Sequence, residues 1–196
     1  MIKRKLNRLQ KEAKVFFKVW KRTLVLMYHR VEVTSIDPWK LSVSPKNFEG
    51  QLKFMKSTGL VKPMEELVSQ FYSKKELKPA IVITFDDGYV NNLSVAEPIL
   101  AKYAIPATVY VATGFSHGSN MWNDRLMYLF AEPERTHLQF DEEQLPLGDW
   151  QDRRSKAQQW LKKIKYLPIA QRLEKIDRFY QQNNATEQQA LMMSPA

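Results

Sequence analysis

The sequence predicts an α/β fold in which parallel strands form an open sheet or a barrel. Three short apolar runs contain no polar face, which is typical of strands covered on both sides: Thr23–Tyr28, Ala80–Phe85 and Ala107–Ala112. Helical patterns separate these runs. Buried strands that alternate with helices form parallel βαβ units, and their polar site residues collect at the C-terminal ends of the strands.

The helices between the strands are marked by caps and by the spacing of apolar residues. Ser44 followed by Pro45 has the order of an N-cap and a first helical residue, and Phe48, Leu52 and Met55 follow at helical spacing. Similar patterns predict further helices at residues 63–71, 95–103 and 122–130.

The last third of the chain has a different character. It is rich in Gln, Lys and Arg, and no buried strand is predicted in it. Helical spacing predicts one helix through Ala157–Ile164 and another from Pro168 to Phe179. We therefore divide the chain into an N-terminal helix (1–22), an α/β part (23–130) and a helical insertion or excursion (131–196).

The positive charge is concentrated at the N-terminus. The 196 residues carry a net charge of +9, and residues 1–22 hold nine Lys/Arg against the single acid Glu12. The rest of the chain is close to neutral, so a nucleic-acid-binding face is not expected. A hydrophobic content of 44% and a length of 196 residues are typical of one globular domain with a substantial core.

Residues 1–22 also predict an amphipathic helix, because apolar residues recur alternately four and three positions apart. Its basic face would suit an anionic membrane surface, whereas its apolar face would equally suit the protein body or a protein partner. The sequence leaves these alternatives open. The stripe consists of Ile2, Leu6, Leu9, Ala13, Phe16 and Trp20.

The sequence contains no cysteine, which excludes disulfides, thiolate metal sites and a cysteine nucleophile. No run of about 18 apolar residues is present, so no transmembrane helix is expected. No signal peptide is evident, and the compartment stays unknown, cytoplasmic or membrane-peripheral.

The strongest chemical signal is the pair Asp86 and Asp87, which follows the second apolar run directly. Neighbouring residues of a regular strand point to opposite faces, but Gly88 lets the chain turn so that both carboxylates converge. Two close carboxylates repel, so a metal ion or a proton normally neutralises one of them. The alternative is a plain turn, since Asp-Gly is common turn chemistry.

Histidines offer a weaker signal. His29 follows the first strand and is either a hydrogen-bonding partner or a ligand, whereas His117 and His137 lie in polar, loop-like sequence and are expected to be solvent-exposed. The three histidines have no His-x-x-x-His spacing, so the chain offers no preformed histidine pair for zinc.

Three blocks of sequence resemble the polysaccharide deacetylases, carbohydrate esterases that share a deacetylase homology domain. A fourth block resembles the branch of that family with a Trp-x-Asp helix after the third strand. The blocks occur in the family's order and cover about residues 23–130. They are Met27-Tyr28-His29-Arg30-Val31, Thr84-Phe85-Asp86-Asp87-Gly88-Tyr89, Pro106-Ala107-Thr108-Val109-Tyr110-Val111 and Trp122-Asn123-Asp124-Arg125-Leu126.

The resemblance implies a partial, distorted (β/α) barrel and a hydrolase that removes acetyl groups from an N-acetylated sugar polymer. Asp86 would be the general base and Asp87 a ligand of a divalent metal, in this family usually zinc. His29, Tyr89, Trp122 and Asp124 would line the site.

The sequence also departs from the family pattern. The family completes its metal site with a later His-(Ser/Thr)-x-x-His motif, and this sequence contains none. The arginine block that orients the base and the late histidine acid are missing too, and only three of about seven strands are recognisable. We therefore expect a truncated or split gene product of doubtful activity alone. The alternatives are an inactive fragment and an interaction protein that acts through its basic N-terminal helix.

Overall fold

A computed structural model describes residues 22–74 and 76–195. The chain forms two compact units. Unit 1 contains the described residues up to Val31 together with Ser44–Val111, and unit 2 contains Glu32–Val43 together with the described residues from Ala112 onward. The domain bounds predicted at residues 22 and 130 stay predictions. The predicted basic helix at 1–22 lies, apart from Arg22, outside the described residues.

The elements are, in chain order, β1 (Thr23–Tyr28), β2 (Arg30–Val31), β3 (Ser42–Val43), α1 (Pro45–Ser57), α2 (Met64–Tyr72), β4 (Ala80–Phe85), α3 (Glu97–Lys102), β5 (Thr108–Val109), α4 (Trp122–Ala131), β6 (His137–Phe140), β7 (Glu143–Pro146), α5 (Trp150–Lys165) and α6 (Ile169–Gln182).

Unit 1 is built on a three-stranded parallel sheet with the order β1-β4-β5. β1 and β4 pair over their whole length, from Thr23 opposite Ala80 to Tyr28 opposite Phe85. Every residue of β4 is buried, as the apolar run predicted. The predicted α/β class with a parallel sheet is therefore confirmed, and the sheet is open within the part of unit 1 that the structure describes.

The two edge strands differ from the prediction. Val25 is 50% exposed and Met27 is 61% exposed, so β1 is not covered on both sides. β5 contains only Thr108 and Val109, which pair with the last two residues of β4, whereas the apolar run had predicted a buried strand over residues 107–112. Tyr110 is 51% exposed. Among residues 22–74 and 76–195, β1 and β5 each pair with β4 alone.

α1 covers the sheet as its sequence predicts. Ser44 accepts a hydrogen bond from the backbone N–H of Asn47, and Pro45 opens the helix. The buried face consists of Phe48, Leu52 and Met55, the three apolar residues that predicted the helix.

The segment after the Asp pair is wound irregularly. A wide π-helical turn, Asn92–Ala96, precedes α3, and the N–H of Glu97 donates to the carbonyl of Asn92. Pro98 lies at the start of α3 and has no N–H to donate to the preceding turn. The helix predicted at 95–103 is therefore split between a π turn and a short α-helix.

Unit 2 packs α4, α5 and α6 around its own apolar core. Phe140 lies at the centre, with ring centroids 4.2 Å from Trp160 and 4.4 Å from Phe179. The predicted apolar residues of α5 are buried: Ala157, Trp160, Leu161 and Ile164.

The prediction of a purely helical segment after residue 130 is wrong in one respect. β6 and β7 form an antiparallel hairpin, and Leu138 and Phe140 of β6 are buried in the core of unit 2. Within the ranges that the structure describes, no helix has the length and apolarity needed to cross a bilayer.

Candidate active site

The candidate site lies at the C-terminal ends of β1 and β4 in unit 1. Because Tyr28 pairs with Phe85, the residues that follow them, His29 and Asp86, leave the sheet side by side. The backbone N–H of Asp86 donates to the carbonyl of Tyr28 over 2.9 Å and so carries the strand pairing up to the aspartate. The sequence-predicted strand ends therefore meet at one edge of the sheet.

The Asp pair lies in a tight left-handed turn. Asp87 has a φ of +73° and Gly88 a φ of +78°, so the alternation of side chains ends with the strand. A Cβ added to Gly88 would lie 3.1 Å from Cγ1 and 3.3 Å from Cα of Val111, so both the backbone conformation and the space favour glycine here. The turn that the sequence predicted at Gly88 is present.

The electrostatics of this turn are unfavourable for a second negative charge. Burial raises the pKa of Asp87 above its ordinary value, and the neighbouring carboxylate of Asp86 raises it further, while His29 acts in the opposite direction. His29 and the carboxylate of Asp86 therefore both lie within electrostatic reach of Asp87. A cation bound at Asp87 would offset the repulsion between the two carboxylates.

A cluster of aromatic rings packs around Phe85, the residue before the Asp pair. The ring of Phe85 stacks on Tyr28 with centroids 5.5 Å apart and lies 5.8 Å from Phe48 of α1. The hydroxyl of Tyr28 donates to Gln51 over 2.8 Å. The residue directly before Asp86 is thereby fixed between the sheet and α1.

Tyr89 is only 4% exposed and lies beneath the guanidinium group of Arg30, 4.9 Å from its ring centroid. This cation–π contact joins the chain after the Asp pair to the chain after His29. Tyr89 was predicted to line the site, and it lies close to it in sequence and on the same unit, but its role stays a prediction.

Sequence reasoning missed Asn92. This residue is 4% exposed, and its side-chain amide donates to the carbonyl of His29 over 2.8 Å. The only sequence signal was the polar pair Asn91-Asn92 between apolar residues, which gave no indication of its partner.

The donor set does not amount to a complete zinc site. Among residues 22–74 and 76–195, no group of three or more His, Cys, Asp or Glu side chains could hold a metal ion. Zinc sites in proteins normally use at least three protein ligands. Asp87, with Asp86 and His29 nearby, fits the role of one ligand and not of a whole coordination sphere.

The other two histidines are exposed, as predicted. Both belong to unit 2. His137 lies in β6 rather than in a loop, and its Nδ1 is 3.2 Å from the hydroxyl of Thr136.

Trp122 and Asp124, which were predicted to line the site, lie in the first turn of α4 in unit 2. Within that unit Asp124 is buried, and Trp122 is partly buried with the guanidinium of Arg172 4.8 Å from its ring. Their assignment to the site stays a prediction.

The family model described as Polysaccharide deacetylase matches residues 73–137, a segment that includes β4, the Asp pair and α4. Over this segment the chain is similar to the polysaccharide deacetylase family. YxkH of Bacillus subtilis (strain 168), which bears a polysaccharide deacetylase name, is 34% identical over 89 residues, covering 44% of this chain and 30% of YxkH.

Two further similar proteins carry a deacetylase name. The poly-beta-1,6-N-acetyl-D-glucosamine N-deacetylase of Staphylococcus aureus (strain MSSA476) is 34% identical over 115 residues, covering 51% of this chain and 39% of that protein. The solved structure of the Streptococcus pyogenes deacetylase PplD is 30% identical with a TM-score of 0.40, covering 54% of this chain and 50% of PplD. The chain spans 30% of YxkH and 39% of the Staphylococcus aureus protein, which is well under half the length of either.

As a first test of this candidate site, we expect Asp87→Asn to stabilise the protein by up to about 1 kcal/mol at pH 7. The amide removes the charge that burial and Asp86 disfavour, and asparagine tolerates a positive φ well. A raised folded-state pKa means that the wild-type penalty is absent below the unfolded pKa and develops as pH rises through the folded value.

Urea unfolding at pH 3.5 and pH 7 measures this effect. The gain should be larger at pH 7. Glu142→Gln, which alters an exposed carboxylate of unit 2, is the control and should change little. Equal or lower stability of Asp87→Asn at pH 7 would argue against a strained Asp pair.

Proposed function

We propose that this chain contributes the general base and one metal ligand to the N-deacetylation of an N-acetylated sugar polymer. The observation that carries the proposal is the position of Asp86 and Asp87 at the end of the buried central strand, inside the segment that matches the family model. The names of the Staphylococcus aureus relatives support a polymer of N-acetylglucosamine as the substrate class.

In this proposal Asp86 is the base. Its carboxylate accepts a proton from a water molecule as the water oxygen attacks the carbonyl carbon of the acetamido group. The C–N bond then breaks, and the products are acetate and a free amine that takes up a proton. Asp86 suits this role because it directly follows the last residue of β4 and its backbone N–H is bonded to Tyr28.

Asp87 would bind a divalent metal, with zinc as the expected ion by family resemblance. Burial raises the pKa of Asp87 and so disfavours its charged form, a cost that a bound cation would offset. The family supplies the remaining ligands from a paired-histidine motif, and this sequence has no histidines at that spacing. We therefore propose that the 196-residue chain alone does not catalyse deacetylation.

A second role is proposed for residues 1–22. Their apolar stripe and nine basic residues against one acid favour contact with an anionic membrane surface or with a protein partner.

The proposed function is tested by measuring acetate release from an N-acetylglucosamine oligomer. The 196-residue chain with added zinc should release none above the Asp86→Asn variant. The same chain, extended by the part of YxkH that follows its matched segment, should release acetate, and Asp86→Asn should abolish that release. A folded, zinc-loaded extended chain whose activity survives Asp86→Asn would contradict the assignment of the base.

A further inference from the structure

Regular strand pairing between β1 and β4 ends just before the candidate site. The last ladder contact is the N–H of Asp86 with the carbonyl of Tyr28. Beyond it, Asp87 and Gly88 turn away with positive φ, so they cannot continue the ladder. Another contact must therefore hold His29 in place relative to the turn.

The side chain of Asn92 supplies that contact. Its amide nitrogen donates to the carbonyl of His29 over 2.8 Å, and its own backbone N–H donates to the carbonyl of Tyr89 over 2.9 Å. Asn92 is thus joined on one side to the residue that follows β1, and on the other to the chain that follows Asp86, Asp87 and Gly88.

The neighbouring residue strengthens the same junction. Oδ1 of Asn91 accepts hydrogen bonds from the backbone N–H of Val31 and from the amide of Asn92, each over 3.4 Å. The peptide groups on both sides of Arg30 are therefore bonded to the Asn91-Asn92 pair.

Asn92 uses the amide nitrogen of its side chain, and not the oxygen, for hydrogen bonds. The residue is 4% exposed, and Oδ1 is buried without a hydrogen-bond partner in the described part of the chain. A buried acceptor without a donor is destabilising. Since both neighbours of the amide nitrogen are acceptors, the nitrogen must face them, and the oxygen is left unpaired.

We propose that Asn92 is a positioning residue that holds His29 beside Asp87. The inference rests on the proposed function, in which His29 lines the site and Asp87 binds the cation. Asn92 acts through the backbone of His29 and does not touch the reacting atoms. A residue that bonds to a site residue can fix the orientation of that residue without contacting the ligand.

The test is a double-mutant cycle read by NMR on the full chain labelled at histidine. The sequence has three histidines, so His117 and His137 in unit 2 serve as internal controls. At one fixed pH, Asp87→Asn should move the ring signal of His29 and leave the other two unchanged. In the Asn92→Leu background, the same substitution should move the His29 signal by half as much or less.

Ser94→Ala is the matched control, because Ser94 lies in the same π turn but bonds to the carbonyl of Val90 instead of to His29. It should leave the coupling intact. If Asn92→Leu does not fold, Asn92→Ser, which is too short to reach His29, takes its place. An undiminished effect of Asp87→Asn on His29 in a folded Asn92 variant would overturn the proposal. Acetate release and zinc binding play no part in this readout, so the proposed function can fail independently.

Discussion

Replacing Phe85 with alanine should destabilise unit 1 by about 3–5 kcal/mol, the range expected for deleting a fully buried aromatic ring. Phe85 is 1% exposed and lies between Tyr28 and Phe48, with both rings within 5.8 Å. The substitution would leave a cavity at the end of β4, next to Asp86 in the chain. It should therefore lower stability and loosen the end of β4 together.

The free energy of unfolding in urea, followed by circular dichroism, measures this loss. Phe71→Ala is the matched control, because Phe71 lies in α2 of the same unit and is 67% exposed. It should cost less than about 0.5 kcal/mol. Similar losses for the two variants would show that Phe85 is not the support of the Asp turn.

Arg153→Met should destabilise unit 2 by about 3–5 kcal/mol, since it removes one partner from a buried network of hydrogen bonds to a charge. Arg153 is 6% exposed, and its guanidinium group donates to five backbone carbonyls. The acceptors are Gly148 (3.1 Å), Phe130 (3.2 Å), Glu132 (2.8 Å), Pro133 (3.2 Å) and Arg135 (2.6 Å).

The position of these acceptors explains the size of the effect. Phe130 and Glu132 belong to the end of α4, where backbone carbonyls lack partners within the helix and favour a positive charge. Methionine fills a similar volume but donates no hydrogen bond. Arg154→Met changes the exposed neighbour in the same helix and should shift the unfolding midpoint little. Equal shifts would indicate that the carbonyl network adds nothing to stability.

The central strand and the Asp pair could be predicted from the sequence because their signals are local. An unbroken apolar run specifies a strand buried on both faces, and β4 is buried throughout. Asp86, Asp87 and Gly88 combine a strand end with turn chemistry, and the observed positive φ values follow from those residue types.

The length of the third strand could not be predicted, because it depends on its partner. The side of β4 that faces β5 is occupied near Ile81 by residues 60–62, through hydrogen bonds to Leu60 and Lys62. Only Thr84 and Phe85 pair with β5. Residues 60–62 and β5 thus pair with the same side of β4. The apolar composition of residues 107–112 does not indicate how that side is divided between them.

The hairpin of unit 2 was missed because its alternation is short. Leu138 and Phe140 point into the core while Gln139 bonds to Asn183 and Asp141, so only two apolar residues mark the strand. Asn92 could not be identified for a similar reason. Its role depends on a partner 63 residues away in the chain.

We propose that the Asp pair forms part of a deacetylase site and that the described part of this chain holds only some of the metal ligands. Zinc content after saturation and desalting tests it most directly. We expect the wild-type chain to retain well below one equivalent of zinc, with weak binding in equilibrium dialysis that is lost in Asp87→Asn. One retained equivalent of zinc, together with acetate release that Asp86→Asn abolishes, would contradict the claim that the site is incomplete.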